Sequence, residues 1–132
     1  MADQYEFFVG TYSSDNRKGM YPLGYAPEAG WRVGAPARDI ENASYAAYNS
    51  RHHLFYVLDE REAGCLSTYS RTTDGQWRCR SRRPSGGDAP CFVSINDTAS
   101  ALAIANYKCG NIAIYKLSEA SGEPVGAPVT IA

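Results

Sequence analysis

Apolar residues in this chain fall into short runs rich in Val, Ile, Tyr and Phe, such as Leu54–Leu58, or alternate with small and polar residues, as in Asn111–Leu117. Gly, Pro, Asp or Asn interrupts them about every 8–12 residues, the spacing of an all-β chain. No window carries the i, i+3, i+4, i+7 stripe of an amphipathic helix. The pattern predicts strands over Tyr5–Tyr12, Met20–Ala26, Trp31–Ala37, Ser44–Tyr48, Leu54–Asp59, Cys65–Ser70, Gln76–Arg82, Cys91–Ile95, Ala101–Tyr107, Asn111–Leu117 and Val125–Ile131. Asp74-Gly75 and Ser121-Gly122 are hairpin-type dipeptides between strands.

The strands repeat. Ser44-Tyr-Ala-Ala-Tyr-Asn49 aligns with Cys91-Phe-Val-Ser-Ile-Asn96, and Leu54-Phe-Tyr-Val-Leu-Asp59 with Ala101-Leu-Ala-Ile-Ala-Asn106, both at an offset of 47. Gly64–Tyr69 matches Gly110–Tyr115 at 46, and Asp74-Gly75 matches Ser121-Gly122 at 47. Nearer the start, Phe8-Val9 falls on Tyr56-Val57, Tyr25 on Tyr69, and Ala29-Gly30 on Asp74-Gly75. A period in the mid-forties, with four short strands and a tight turn before the last, marks a β-propeller blade. The expected architecture is therefore all-β: a β-propeller fragment of about two and three-quarter four-stranded blades. Residues 5–37 supply an incomplete blade, 43–83 one full blade and 90–131 another, all within a single domain, 1–132. Within the blades Val93, Ile95, Leu102, Ile104, Ile112 and Ile114 are expected between sheets.

Composition narrows the function classes. Thirteen Lys and Arg balance fourteen Asp and Glu, leaving a net charge of −1, without the basic excess of an obligate nucleic-acid binder. The longest apolar runs are five residues against the roughly 20 of a membrane-spanning helix, so no membrane partner is expected. Asp3 and Glu6 occupy positions where a signal peptide would be basic and then apolar, and the expected location is cytoplasmic. Cys65, Cys79, Cys91 and Cys109 never form a C-x-x-C pair; they read as four reduced, mostly packed thiols rather than a zinc or disulfide framework.

Several segments carry a resemblance over nearly the whole chain. Phe8-Val-Gly-Thr-Tyr12, Asn42-Ala-Ser-Tyr45, Leu54–Glu60 and Ala89-Pro-Cys-Phe-Val-Ser94, followed by Ala105-Asn-Tyr-Lys-Cys-Gly-Asn111, resemble the lactonase family of seven-bladed propellers. That family includes propeller-type 6-phosphogluconolactonases and fungal carboxymuconate-lactonising enzymes. The chain departs from the family pattern at Phe92, where many members carry a histidine, at Asp59 in place of the usual asparagine, at Ala43 in place of a common proline, and in Met20-Tyr-Pro-Leu. Seven blades need roughly 300 residues, and the resemblance places the family's acid–base and anion-binding residues in later blades. It therefore implies no catalytic residue here, and no metal or cofactor.

In a propeller the ligand cavity surrounds the central axis. The loops expected there are Thr11–Gly19, Asp59–Gly64 and Asn106–Gly110, with the Gly86–Pro90 approach to the next innermost strand. Asp59, Glu60, Asn106, Tyr107 and Lys108 are thus candidate substrate-binding residues: an amide, a phenol and an ammonium suit the hydroxyls or phosphate of a sugar lactone. Alternatively Asp59 and Asn106 tie up turn backbone, as such residues do at strand ends. Adjacent His52 and His53 read as solvent-facing. Arg78, Arg80, Arg82 and Arg83 form a basic run on an outer strand, with alternation placing three on one face, where charge discourages edge pairing. The reaction implied by the resemblance is hydrolysis of a small-molecule sugar lactone. The alternatives are a lactone-forming cycloisomerase of the same family and a non-catalytic propeller scaffold. Bare blade faces would favour ill-defined self-association.

Overall fold

The computed structural model describes residues 4–132. Those residues form eleven strands and no helix: β1 Tyr5–Gly10, β2 Met20–Ala26, β3 Gly30–Val33, β4 Ala46–Asn49, β5 Leu54–Asp59, β6 Cys65–Arg71, β7 Trp77–Pro84, β8 Pro90–Ile95, β9 Ala101–Asn106, β10 Asn111–Leu117 and β11 Pro124–Ile131. Every predicted strand is present, with ends displaced by a few residues. They pair antiparallel into three meandering sheets, β1-β2-β3, β4-β5-β6-β7 and β8-β9-β10-β11. The second and third sheets approach each other through β8 against β4 and β5. The sheets thus fan outward from their first strands, as propeller blades do.

The middle blade is covered on both sides, and its second strand shows it. All six residues of β5 are buried. Leu54, Tyr56 and Leu58 join Leu66, Val93, Leu102, Ile104, Ala113, Tyr115 and Leu117 between the second and third blades. Phe55 and Val57 join Met20, Ala37, Ile40, Ala43 and Tyr69 between the first and second. Both faces being apolar, β5 reads as one unbroken hydrophobic run rather than an alternating one. Each fully buried aliphatic side chain here contributes about 1.5–3 kcal/mol.

Polar links pin the same interfaces. The Tyr56 hydroxyl, fully buried, donates to the Gly122 carbonyl of the third blade at 2.6 Å and accepts from Asn49 Nδ2 at 2.9 Å. Tyr115 donates to the Pro84 carbonyl, and Tyr69 to Asp39 at 2.7 Å. Between the first two blades the Arg71 guanidinium lies over the rings of Phe8 and Trp77, at 5.5 and 5.0 Å, and pairs with Glu6.

The first blade accommodates a proline in its central strand. Pro22 pairs with Phe8 of β1, while its carbonyl accepts from Gly34 N just past the end of β3. A residue's N–H and C=O point to the same side of a strand, so the missing donor falls where β3 has left the ladder. The other edge of this blade, β1, has no partner among the described residues. It borders a groove of about 380 Å³ lined by Glu6, Phe8, Gly10, Tyr45, Tyr48 and Phe55 among others.

Four details differ from the sequence reading. Ile112 and Ile114 were expected in the core with Ile104, but the register sets Ile104 opposite Ala113, so Ala113, Tyr115 and Leu117 face inward. Ile112 is 46% exposed on the far face, beside Ile131. Cys79, Cys91 and Cys109 are exposed rather than packed, and all four thiols are free. His52 is half-buried, its ring against Gly122, whereas His53 is exposed and meets the Tyr48 hydroxyl at 3.1 Å. A bulge opposite Thr68 and Tyr69 breaks the alternation of the arginine run. Arg82 consequently donates to the Asp39 carbonyl in the segment that joins the first blade to the second, while Arg83 donates to Pro124 and Gly126 carbonyls of the third and Arg80 lies by Glu123. The run clamps neighbouring blades on both sides.

Replacing Ile104 by Ala is expected to cost about 2–5 kcal/mol of unfolding free energy, and replacing Ile112 by Ala less than about 1 kcal/mol. Urea titration of both variants measures the gap; equal losses would put both side chains in the core. Tyr56→Phe is expected to cost about 1–3 kcal/mol, since it leaves the Gly122 carbonyl and the Asn49 amide unpaired in the interior. Thermal unfolding indistinguishable from the parent would remove that hydrogen bond from the account.

Candidate active-site mouth

β1, β5 and β9 are equivalent strands of the repeat, Phe8-Val9 falling on Tyr56-Val57 and Leu54–Asp59 on Ala101–Asn106. Their ends, Gly10, Asp59 and Asn106, therefore lie at one end of the fan. Here each loop is stitched to the next segment by backbone hydrogen bonds. Ala43 N donates to Thr11 O, Glu60 N to Asn42 O, Ala89 N to Arg61 O and Tyr107 N to Ala89 O, at 2.9–3.0 Å. Asn42 and Ala89, 47 residues apart, both adopt a left-handed backbone, with φ of 50° and 52°. That conformation is costly for alanine, and the hydrogen bonds at Ala89 hold it in place.

The candidate residues separate into buried and solvent-facing groups. Asp59 and Asn106 occupy equivalent positions and are each only 1% exposed. Asn106 donates to the Ser85 carbonyl and to Asn111 Oδ1. Asp59 pairs with Arg61 at 3.0 Å through one oxygen. In both, Oδ1 has no protein partner. Glu60, half-buried, accepts from the Tyr12 hydroxyl at 2.8 Å. Tyr107 is almost fully solvent-facing, and Lys108 pairs with Glu62. No hydrogen bond or ion pair joins any two of the five among the described residues. Nor do three His, Cys, Asp or Glu side chains gather closely enough among them to hold a metal.

Three further side chains at this end went unmarked as site residues in the sequence: Tyr12, Tyr45 and Phe92. The rings of Tyr45 and Phe92, from the inner edges of adjacent blades, lie 4.8 Å apart at 38°. A signal was present, since Tyr45 and Phe92 align in the 47-residue repeat. Glu60 raises the pKa of the Tyr12 phenol, through their hydrogen bond first and with burial adding to it. Burial raises the Asp59 pKa despite the opposing charges of Arg61 and Arg82.

Asp59→Asn, the side chain found at equivalent position 106, is therefore expected to stabilise the protein at neutral pH. The folded protein holds this proton more tightly than the unfolded chain does, so ionisation of Asp59 destabilises the fold as pH rises from the ordinary carboxylate value to the raised one. The advantage of asparagine is full above the raised pKa and vanishes below about pH 3.8, where both states are protonated. Thermal unfolding of both proteins between about pH 3 and pH 7 measures it. A variant less stable at neutral pH would make the Arg61 pair, not burial, the dominant effect.

Comparison with known proteins agrees with this architecture. A 6-phosphogluconolactonase of Bacillus subtilis (strain 168) is 24% identical over 120 residues, which cover 88% of this chain and 34% of that protein. A solved 6-phosphogluconolactonase candidate from Bacteroides uniformis ATCC 8492 superimposes with a TM-score of 0.84 at 24% identity, over 98% of this chain and 38% of its own. The periplasmic gluconolactonase of Pseudomonas aeruginosa gives 0.81 at 20% identity, over 98% and 39%. The chain thus spans about a third of the length of these relatives, and the structural likenesses establish its fold. The sequence model of the family described as "Lactonase, 7-bladed beta-propeller" matches residues 6–130, nearly the whole chain: this protein belongs to that family.

Proposed function

We propose that this chain forms the N-terminal blades of a propeller enzyme that hydrolyses a sugar lactone of the 6-phosphogluconolactone type. The observation that carries this reading is the family match across residues 6–130, joined to a curated relative that is a 6-phosphogluconolactonase. In the reaction, water adds to the ring carbonyl and the resulting tetrahedral oxyanion collapses. The ring C–O bond breaks, and the departing oxygen takes up a proton. The product is a hydroxy acid, which releases a proton at neutral pH. Among the five candidates, Glu60, Tyr107 and Lys108 reach solvent and are the ones proposed to meet substrate. Asp59 and Asn106 are proposed to hold the loops that present them.

The blades described here offer carboxylates, phenols and amines at the mouth, but neither histidine: His52 and His53 lie at the opposite end of β5, just before Leu54. The 132-residue chain alone is accordingly expected to hydrolyse a δ-lactone no faster than buffer. The same residues within a seven-bladed polypeptide are expected to accelerate the reaction well above it. Acid release in a pH-stat is the measurement. Turnover by the short chain that falls on changing Glu60 to Gln would place the whole site in these blades, and inactivity of the seven-bladed polypeptide would overturn the lactonase reading.

A further inference from the structure

We propose that Tyr12 is a positioning residue for Glu60: its hydroxyl, reaching across from the first blade, holds the carboxylate of the second in one orientation toward the substrate. The proposal deepens the lactonase reading and rests on it for the statement that Glu60 meets substrate. The positioning itself rests on the geometry.

Three repeat-equivalent residues stand at the mouth. The offset that sets Phe8-Val9 on Tyr56-Val57 also sets Tyr12 on Glu60, and the 47-residue offset sets Glu60 on Tyr107. The backbone treats the last two alike: Glu60 N donates to Asn42 O and Tyr107 N to Ala89 O, the acceptors being the two left-handed residues of this rim. Their side chains differ. Glu60 is half-buried and accepts from the Tyr12 hydroxyl at 2.8 Å, whereas Tyr107 is 78% exposed and has no hydrogen-bond partner among the described residues.

Tyr12 is anchored from behind. Thr11 N donates to Gly19 O, and Thr11 O accepts from Ala43 N. Both backbone groups of the preceding residue are therefore tied, one within its own loop and the other to the segment that enters the second blade. Among the described residues the Tyr12 hydroxyl is the only donor to the Glu60 carboxylate. The cations of the neighbouring loops are committed elsewhere, Lys18 to Glu41, Arg61 to Asp59 and Lys108 to Glu62. A glutamate side chain is rotamer-rich, and fixing it in advance removes part of the ordering cost of binding. A neutral phenol fixes it without cancelling its charge, so the carboxylate keeps its strength as an acceptor for a donor on the substrate.

Two NMR measurements on the 132-residue chain test the geometry. Three-bond couplings along the Glu60 side chain are expected to report one rotamer in the parent. In Tyr12→Phe, which removes only a hydroxyl from a mostly exposed ring, they are expected to average over several. The Tyr12 ring signals, followed through a pH titration, are expected to place its phenol above the ordinary tyrosine value, and Glu60→Gln to lower it. Averaged couplings in the parent, couplings unchanged in the variant, or a phenol that titrates identically in Glu60→Gln would overturn the positioning. A third measurement tests its use. In a seven-bladed polypeptide carrying these residues, Tyr12→Phe is expected to raise KM about three- to tenfold with kcat changed less. Once Glu60 is Gln, the same change is expected to have no further effect. An unchanged KM, or losses that simply add, would overturn the role and leave the lactonase reading intact. A polypeptide that hydrolyses no lactone would overturn that reading instead, and the couplings and the titration would still decide whether Tyr12 fixes Glu60.

Discussion

Face-to-face packing of one sheet on the next is the constraint on which everything else in this molecule depends. A four-stranded meander has two faces, and the middle blade hides both: Leu54, Tyr56 and Leu58 on one side, Phe55 and Val57 on the other. Because adjacent residues of a strand point oppositely, β5 has to be apolar at every position until it reaches the mouth. There Asp59 breaks the run, and it remains buried at an energetic cost that its raised pKa records. The end of the packed strand is thus also where buried polar side chains begin.

The polar contacts follow from this arrangement. Side chains long enough to cross from blade to blade carry hydroxyls or guanidinium groups: Tyr56 to Gly122, Tyr69 to Asp39, Arg82 to Asp39 and Arg83 to Pro124 and Gly126. Ten tyrosines in a short chain are explained in part by this duty, since tyrosine fills an apolar interface and still reaches a carbonyl at its far side. Of the arginines that form a basic run in the sequence, Arg82 and Arg83 are engaged by neighbouring backbone and Arg80 lies by Glu123.

At the mouth, the backbone stitches between Thr11, Ala43, Asn42, Glu60, Arg61, Ala89 and Tyr107 turn separate loops into one rim. That rim fixes which side chains face solvent. It buries Asp59 and Asn106 and leaves Glu60, Tyr107 and Lys108 outside. The Tyr45–Phe92 ring pair forms because the inner strands of two blades converge here, which brings equivalent repeat positions side by side.

Local chemistry was sufficient for the strands, the turns and the repeat, because alternation, β-branched and aromatic residues and Asp-Gly or Ser-Gly turns act over a few residues. Those features were legible along the whole chain, and the 47-residue offset carried the propeller reading with it. What required the folded structure was every choice between two faces or two partners. Ile112 and Ile104 look equally apolar, but cross-strand register decides which one is buried. Arg80, Arg82 and Arg83 look like one run, but a bulge sends them to different blades. Asp59 and Glu60 look like one acidic pair, but one lies beneath the rim and the other meets Tyr12. Register, bulges and convergence between blades depend on residues tens of positions away, so no local pattern encodes them, and they were settled only when the sheets packed.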